Sequence, residues 1–334
     1  MSRIFTALAL VASLAACDSA NPFMATEEED AGDAPVIDDG EEVTTEGIPT
    51  SLADDLRSVA FDPTLGTLFV DLAALDRSDT DIPLSEYTPN PGLATTEMLA
   101  QGYQVFSYQD DALDRMFVAI AAQSSDGSVV GAVVMDGGQF TKFFSGGFYA
   151  TDGNYTPGNP TNDTGLVSYA GVYAGLSNLD GDGAALLPLP ADTDDAIRPD
   201  QPAQIVGNIF INADFQDNTI NGAIYERSFS NLSAGLTTLL GGVELDDVFL
   251  IPATITTEGT FLGTVENPAQ ESIGAYGGTF GGTEAAGVAG TTNLDGDWIP
   301  AIDNEIEFGV FVLTQCGQTG EDALCDAIPV NPDP

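Results

Sequence analysis

The chain contains no histidine. That removes the commonest general base and the commonest metal ligand, so Ser-His-Asp triads, His-based zinc sites and His-ligated haem are excluded. Basic residues are scarce as well: seven Lys and Arg stand against 52 Asp and Glu, for a net charge of −45 at pH 7. Such a surface repels nucleic-acid phosphates and anionic lipid headgroups, which excludes a polynucleotide partner. It attracts basic proteins or cations, and it equally serves solubility in salty surroundings. Lysine occurs once, at Lys142, among Phe140, Phe143 and Phe144. On a strand face its stem would cover apolar surface. The glycine-rich turns are not phosphate loops, because none is followed by a Lys-Ser or Lys-Thr pair opening a helix.

Three cysteines remain, and they divide by position. Arg3 and the apolar run 4–12 form a segment too short to span a bilayer, read as an export signal over residues 1–16. It ends in Leu14-Ala15-Ala16-Cys17, which resembles a bacterial lipobox; the resemblance implies diacylglycerol on Cys17 and a membrane anchor there. Cys316 and Cys325 close a short loop and suit a disulfide in an oxidising compartment. Residues 17–50 read as a lipidated cysteine followed by an acidic tether, too poor in apolar residues to fold.

Beyond the tether the pattern is all-β. Short alternating segments at 67–75, 102–108, 115–122, 128–135 and 139–144 are separated by turns such as Asp126-Gly127 and Asp136-Gly137-Gly138. They predict a smaller antiparallel, strand-rich domain over 51–163. A short helical turn is expected at 51–57, and 83–96 reads as loop. Eight further segments predict an eight-stranded antiparallel β-barrel over 164–316: 166–176, 207–215, 219–227, 245–255, 260–266, 274–282, 286–293 and 305–315. Pro252 removes a ladder donor and predicts a bulge. In the last segment Ile306, Phe308, Val310 and Val312 share one face, assigned here to the barrel interior. Residues 317–334 form a tail.

Two stretches repeat oxygen ligands at alternate positions: Asn178, Asp180 and Asp182, then Asn293, Asp295 and Asp297. The first opens like a Ca²⁺ loop, but Leu189 stands where a bidentate Glu closes one. Both read as barrel turns, with Ca²⁺ sites as the alternative and no other cofactor expected. Acid pairs at Asp110-Asp111, Asp194-Asp195 and Asp246-Asp247 follow from the sheer number of carboxylates, and the chain reads as a non-enzyme.

Five motifs in order carry a resemblance: 169–175 (YAGVYAG), 212–215 with 219–224 (NADF, TINGAI), 259–263 (GTFLG), 274–282 (GAYGGTFGG), and 286–290 with 309–311 (AGVAG, GVF). Over 165–313 the chain resembles the barrel domain of transferrin-binding protein B-like lipoproteins. The resemblance implies a Gram-negative envelope lipoprotein, on the periplasmic face or the outer surface, with a strand-rich handle before the barrel. It also implies capture of a solute or protein partner through loops, with no binding residue that can be carried over. The alternative is a structural or surface-coat lipoprotein whose acidic body hydrates the envelope without a small ligand.

Overall fold

A computed structural model describes residues 32–36, 42–73, 85–140, 142–158, 165–295, 298–299 and 302–327. Cys17, the signal segment and Asp297 lie outside these residues. The described chain is all-β, in two antiparallel sheets.

The first sheet, the handle, runs β1 (Val43–Thr44), β2 (Leu56–Asp62), β3 (Thr67–Leu72), β4 (Ser85–Pro89), β5 (Gln104–Tyr108), β6 (Phe117–Gln123), β7 (Val129–Asp136) and β8 (Ser145–Thr151), each paired with the next. The expected helical turn is present as Thr50–Ala53. Three departures from the sequence pattern have physical causes. The acidic stretch expected as tether to residue 50 is part of the folded body from Glu42 onward: Ser58 donates to Glu42, β1 pairs with β2, and Ile48 is buried. Within the loop expected at 83–96, Ser85–Pro89 adds a strand to the sheet. The alternating segment 139–144 is a hairpin tip, and the strand follows it as β8. The pair Gly146-Gly147 hid β8 from propensity. A Cβ on Gly147 would lie 2.7 Å from Thr291 of the barrel, so glycine here sets how closely handle and barrel approach.

The second sheet closes on itself: β9 (Leu166–Asp180), β10 (Pro202–Asp214), β11 (Thr219–Phe229), β12 (Val248–Thr254), β13 (Thr260–Glu266), β14 (Ser272–Gly281), β15 (Gly287–Leu294) and β16 (Glu307–Thr314), with β16 paired to β9. All eight strands fall on the eight expected segments. The register between β11 and β12 slips across Ile251-Pro252, the bulge that proline imposes.

The lumen is filled. Phe280 of β14 sits among Tyr155, Tyr169, Phe215 and Phe261, with ring centroids 5.1–6.4 Å away. These rings and Ile209, Ile211 and Leu313 form one core. A second core joins the handle to the outside of β9, β15 and β16 through Val172, Ala174, Phe308, Val310 and Val312. The sequence pattern places Ile306, Phe308, Val310 and Val312 in the lumen; they face the handle instead, while Glu307, Phe311 and Leu313 face inward. The strand is buried on both sides, so alternation of apolar residues carries no information about which side is which.

One handle residue completes the barrel wall. The β9–β16 ladder breaks after Tyr173–Phe311 and resumes at Tyr169–Gln315; in the gap the Tyr103 hydroxyl donates to Val172 O (2.9 Å) and accepts from Val312 N (3.0 Å). Tyr103→Phe leaves a buried carbonyl and a buried amide unpaired, with an expected loss of about 1–3 kcal/mol. Urea denaturation reads the loss, and faster hydrogen exchange at the Val312 amide locates it; unchanged exchange there would contradict the assignment.

Candidate functional site

The antiparallel meander sends every second connection to the same end of the barrel. At one end the connections are short, at 215–218, 255–259 and 282–286. At the other they include 181–201, 230–247 and the link from Leu294 to Glu307. Handle loops join this crown: Asp200 N donates to Gly138 O (3.3 Å), and Gln139 Nε2 donates to Leu113 O (2.8 Å) and Ile197 O (2.7 Å). The described chain enters at the opposite end, where Thr151 N donates to Pro35 O (2.9 Å) and Asp152 N to Ser128 O (2.9 Å), beside the 282–286 turn. Long loops and chain entry therefore lie at opposite ends of β8.

Within the crown the β7–β8 hairpin is held from beneath. Asp136 is fully buried, pairs with Arg115 and accepts from Phe144 N (2.8 Å). The same guanidinium donates to Gln139 O (2.7 Å) and Lys142 O (2.8 Å), and it lies 4.9 Å from the Phe144 ring centroid. Burial raises the Asp136 carboxyl above its ordinary range, with the Phe144 amide and Arg115 pulling it back. On this platform Phe140, at φ +56°, is 61% exposed and Phe143 39% exposed. Lys142 is exposed on the hairpin tip rather than on a strand face. Leu113 and Ile197, tied to the hairpin through Gln139, are exposed beside it. Acids surround this apolar tip: Asp110, Asp111, Asp114, Asp194 and Asp195 are exposed on the adjoining loops. Partial burial, with the Asp180 carboxylate nearby, pushes Asp200 up to about 6.

The oxygen-rich stretches also lie at the crown, at the ends of β9 and β15. Asn178 is consumed in joining strands, donating to Asn304 O (3.0 Å) and accepting from Ile306 N (2.8 Å). Asp182 accepts from Ala184 N (3.0 Å) in a tight turn, and Asp180 and Asp295 are exposed. Asn293 donates to Ser51 O (2.8 Å), across the handle–barrel junction. Among the described residues, the one trio of Cys or acid groups converging within 4.8 Å is Cys316, Glu321 and Cys325. Its two cysteines are joined as a disulfide, S–S 2.04 Å, which leaves no thiolate to bind a metal.

The sequence reading missed a charged cluster inside the crown end of the barrel. Arg227 of β11 and Glu307 of β16 form an ion pair with side chains 1% and 0% exposed. Tyr173 donates to Glu307 (2.6 Å) and lies 2.8 Å from the Thr292 hydroxyl. Burial holds the Tyr173 phenol well above its ordinary value, so it stays protonated and donates. Arg227 also donates to Asp246 O (2.8 Å) and stacks on Trp298, 5.2 Å from the ring centroid. Gly309 makes the room: a Cβ there would lie 1.9 Å from the Tyr173 hydroxyl. In the sequence Arg227 follows Glu226 and Glu307 opens its strand, so neither stands out as a lone charge within an apolar run.

No protein-family model matches the chain, and no curated protein matches it. Solved structures do. The chain is similar in fold to a double mutant of transferrin-binding protein B from Haemophilus parasuis Hp5, at 14% identity and TM-score 0.37, covering 70% of this chain and 39% of that one. It is similar to transferrin-binding protein B of serogroup B Neisseria meningitidis at 13% identity and TM-score 0.37, covering 79% and 42%. The intact two-lobed Ap-TbpB matches at 12% identity and TM-score 0.36, covering 83% and 60%. The chain thus spans less than two thirds of each of these structures. Among the described residues no helix is long and apolar enough to cross a membrane, which leaves membrane crossing by strands unaddressed.

Proposed function

We propose that this chain is a lipid-anchored envelope binding protein, not an enzyme, which captures a basic protein partner at its crown of loops. The single observation that supports this reading is the β7–β8 hairpin, where two phenylalanines are held exposed over the pair of half-buried Arg115 with buried Asp136. Rigid aromatic anchors lose little conformational entropy on docking and dominate interface energetics. The acidic loops around them favour a partner that is basic around an apolar pocket. The filled lumen favours capture on the surface over an enclosed solute. With the anchor on Cys17, the 14 residues 18–31 reach at most about 50 Å when extended.

The test compares the wild-type chain with Phe140→Ser/Phe143→Ser as bait on the envelope fraction of its own organism. A specific partner should bind the wild type, be released by about 1 M salt, and bind the variant roughly 30-fold more weakly. Unchanged circular dichroism would show that the fold survives. A partner held equally by both proteins would move the site elsewhere. No partner at all, from an abundant protein, would favour the surface-coat alternative.

A further inference from the structure

At the crown end of the barrel, between the β11–β12 loop and the β13–β14 turn, lies a cleft of about 310 Å³. That is the lower end of the volume range of small-molecule sites, about 300–1,000 Å³. Arg227 and Trp298 line it, as do Asp246, Asp247, Glu271 and Asn267. It shares no residue with the aromatic hairpin and stands or falls separately from the reading above.

Two polar groups at the cleft have no hydrogen-bond partner among the described residues. Arg227 and Trp298 are 1% and 7% exposed, yet Arg227 Nε and Trp298 Nε1 make no hydrogen bond. Both are donors, and a buried donor without an acceptor is costly. The positive charge of Arg227 is already neutralised by Glu307, so the donors remain while the local field is set by the rim. That rim is acidic. Asp247 spends one oxygen on Glu226 N (3.1 Å) and Glu271 one on Asn267 Nδ2 (3.1 Å), whereas Asp246 contributes only its backbone carbonyl to Arg227. The cleft thus presents carboxylates outside and two NH donors inside. A simple anion is repelled by the rim, and a simple cation leaves the donors unsatisfied.

We infer that this cleft binds a small organic cation that also carries a carboxylate, of the class of a free basic amino acid. Its guanidinium or ammonium pairs with Asp246, Asp247 and Glu271, and its carboxylate accepts from Arg227 Nε and Trp298 Nε1. The match is one of complementary charge-assisted hydrogen bonds at both ends of one molecule.

Trp298 is the only tryptophan in the chain, so its fluorescence reports on this cleft directly. The full-length protein in detergent is titrated with L-arginine, with agmatine (which lacks the carboxylate) and with L-glutamate, at about 0.15 M salt to screen diffuse attraction. Arginine should shift the emission saturably with one site per chain. Agmatine should bind at least about tenfold more weakly, and glutamate not at all. Asp246→Asn/Asp247→Asn, which keeps the backbone contact to Arg227, should weaken arginine about tenfold or more. Trp298→Phe, read by calorimetry, should bring arginine down toward agmatine. Equal binding of all three compounds, arginine affinity unchanged in the double Asn variant, or no response to millimolar arginine by either method would overturn the inference.

Discussion

Glu307→Ala should cost about 3–5 kcal/mol of stability, the expected penalty for stranding one partner of a buried ion pair. The Arg227 guanidinium would stay in the barrel wall with Asp246 O as its remaining acceptor, and Tyr173 would keep only Thr292. Removing both charges is a different experiment. Arg227→Met/Glu307→Met exchanges the pair for apolar side chains and should recover most of that loss, because the charges repay their desolvation poorly. Urea denaturation followed by circular dichroism measures all three proteins. If Glu307→Ala cost less than about 1 kcal/mol, as surface pairs do, the pair would have to be hydrated in solution. A loss in the double variant equal to that in Glu307→Ala would assign the cost to packing rather than to charge.

Phe280→Ala should cost a similar amount, about 3–5 kcal/mol, for a different reason. Phe280 is fully buried in the lumen and touches four other rings, so its removal leaves a cavity that the closed β-ladder cannot collapse to fill. Phe280→Leu retains most of the volume and should lose much less. Phe140→Ser, on the exposed hairpin tip, should change stability by no more than about 0.5 kcal/mol. The contrast between two phenylalanines of one chain separates the packed lumen from the exposed tip. A small effect at Phe280 would mean that the lumen is loosely filled and has room for a ligand, which would reopen an enclosed solute site.

Much of the barrel was legible in the sequence because its signals are local. Strand length, alternation and turn residues lie within about ten positions of one another, and all eight barrel strands appear where those signals fall. The slip at Pro252 follows from one missing amide hydrogen. The handle was less legible. Its β2 and β8 are buried along nearly their whole length, so they lack alternation, and the glycines of β8 lower its propensity. The tip at 139–144 has the alternation of a strand, but Arg115 from a separate loop folds it into a platform.

The chain by itself determined its chemistry of exclusion: no histidine, a net charge of −45, and eight strands of a length that closes a barrel. Those properties belong to composition and short-range pattern, which survive in any arrangement of the chain. Which face of β16 meets the lumen was decided only by the docking of the handle, since both faces are apolar. The meeting of Arg227 with Glu307, 80 residues away, and of Tyr103 with Val312, 209 residues away, was decided by barrel closure and sheet packing. The antiparallel meander of the barrel gathers its long loops at one end. Residues so distant in sequence carry no local signal of one another, and only the folded β-ladder brings them within hydrogen-bond range.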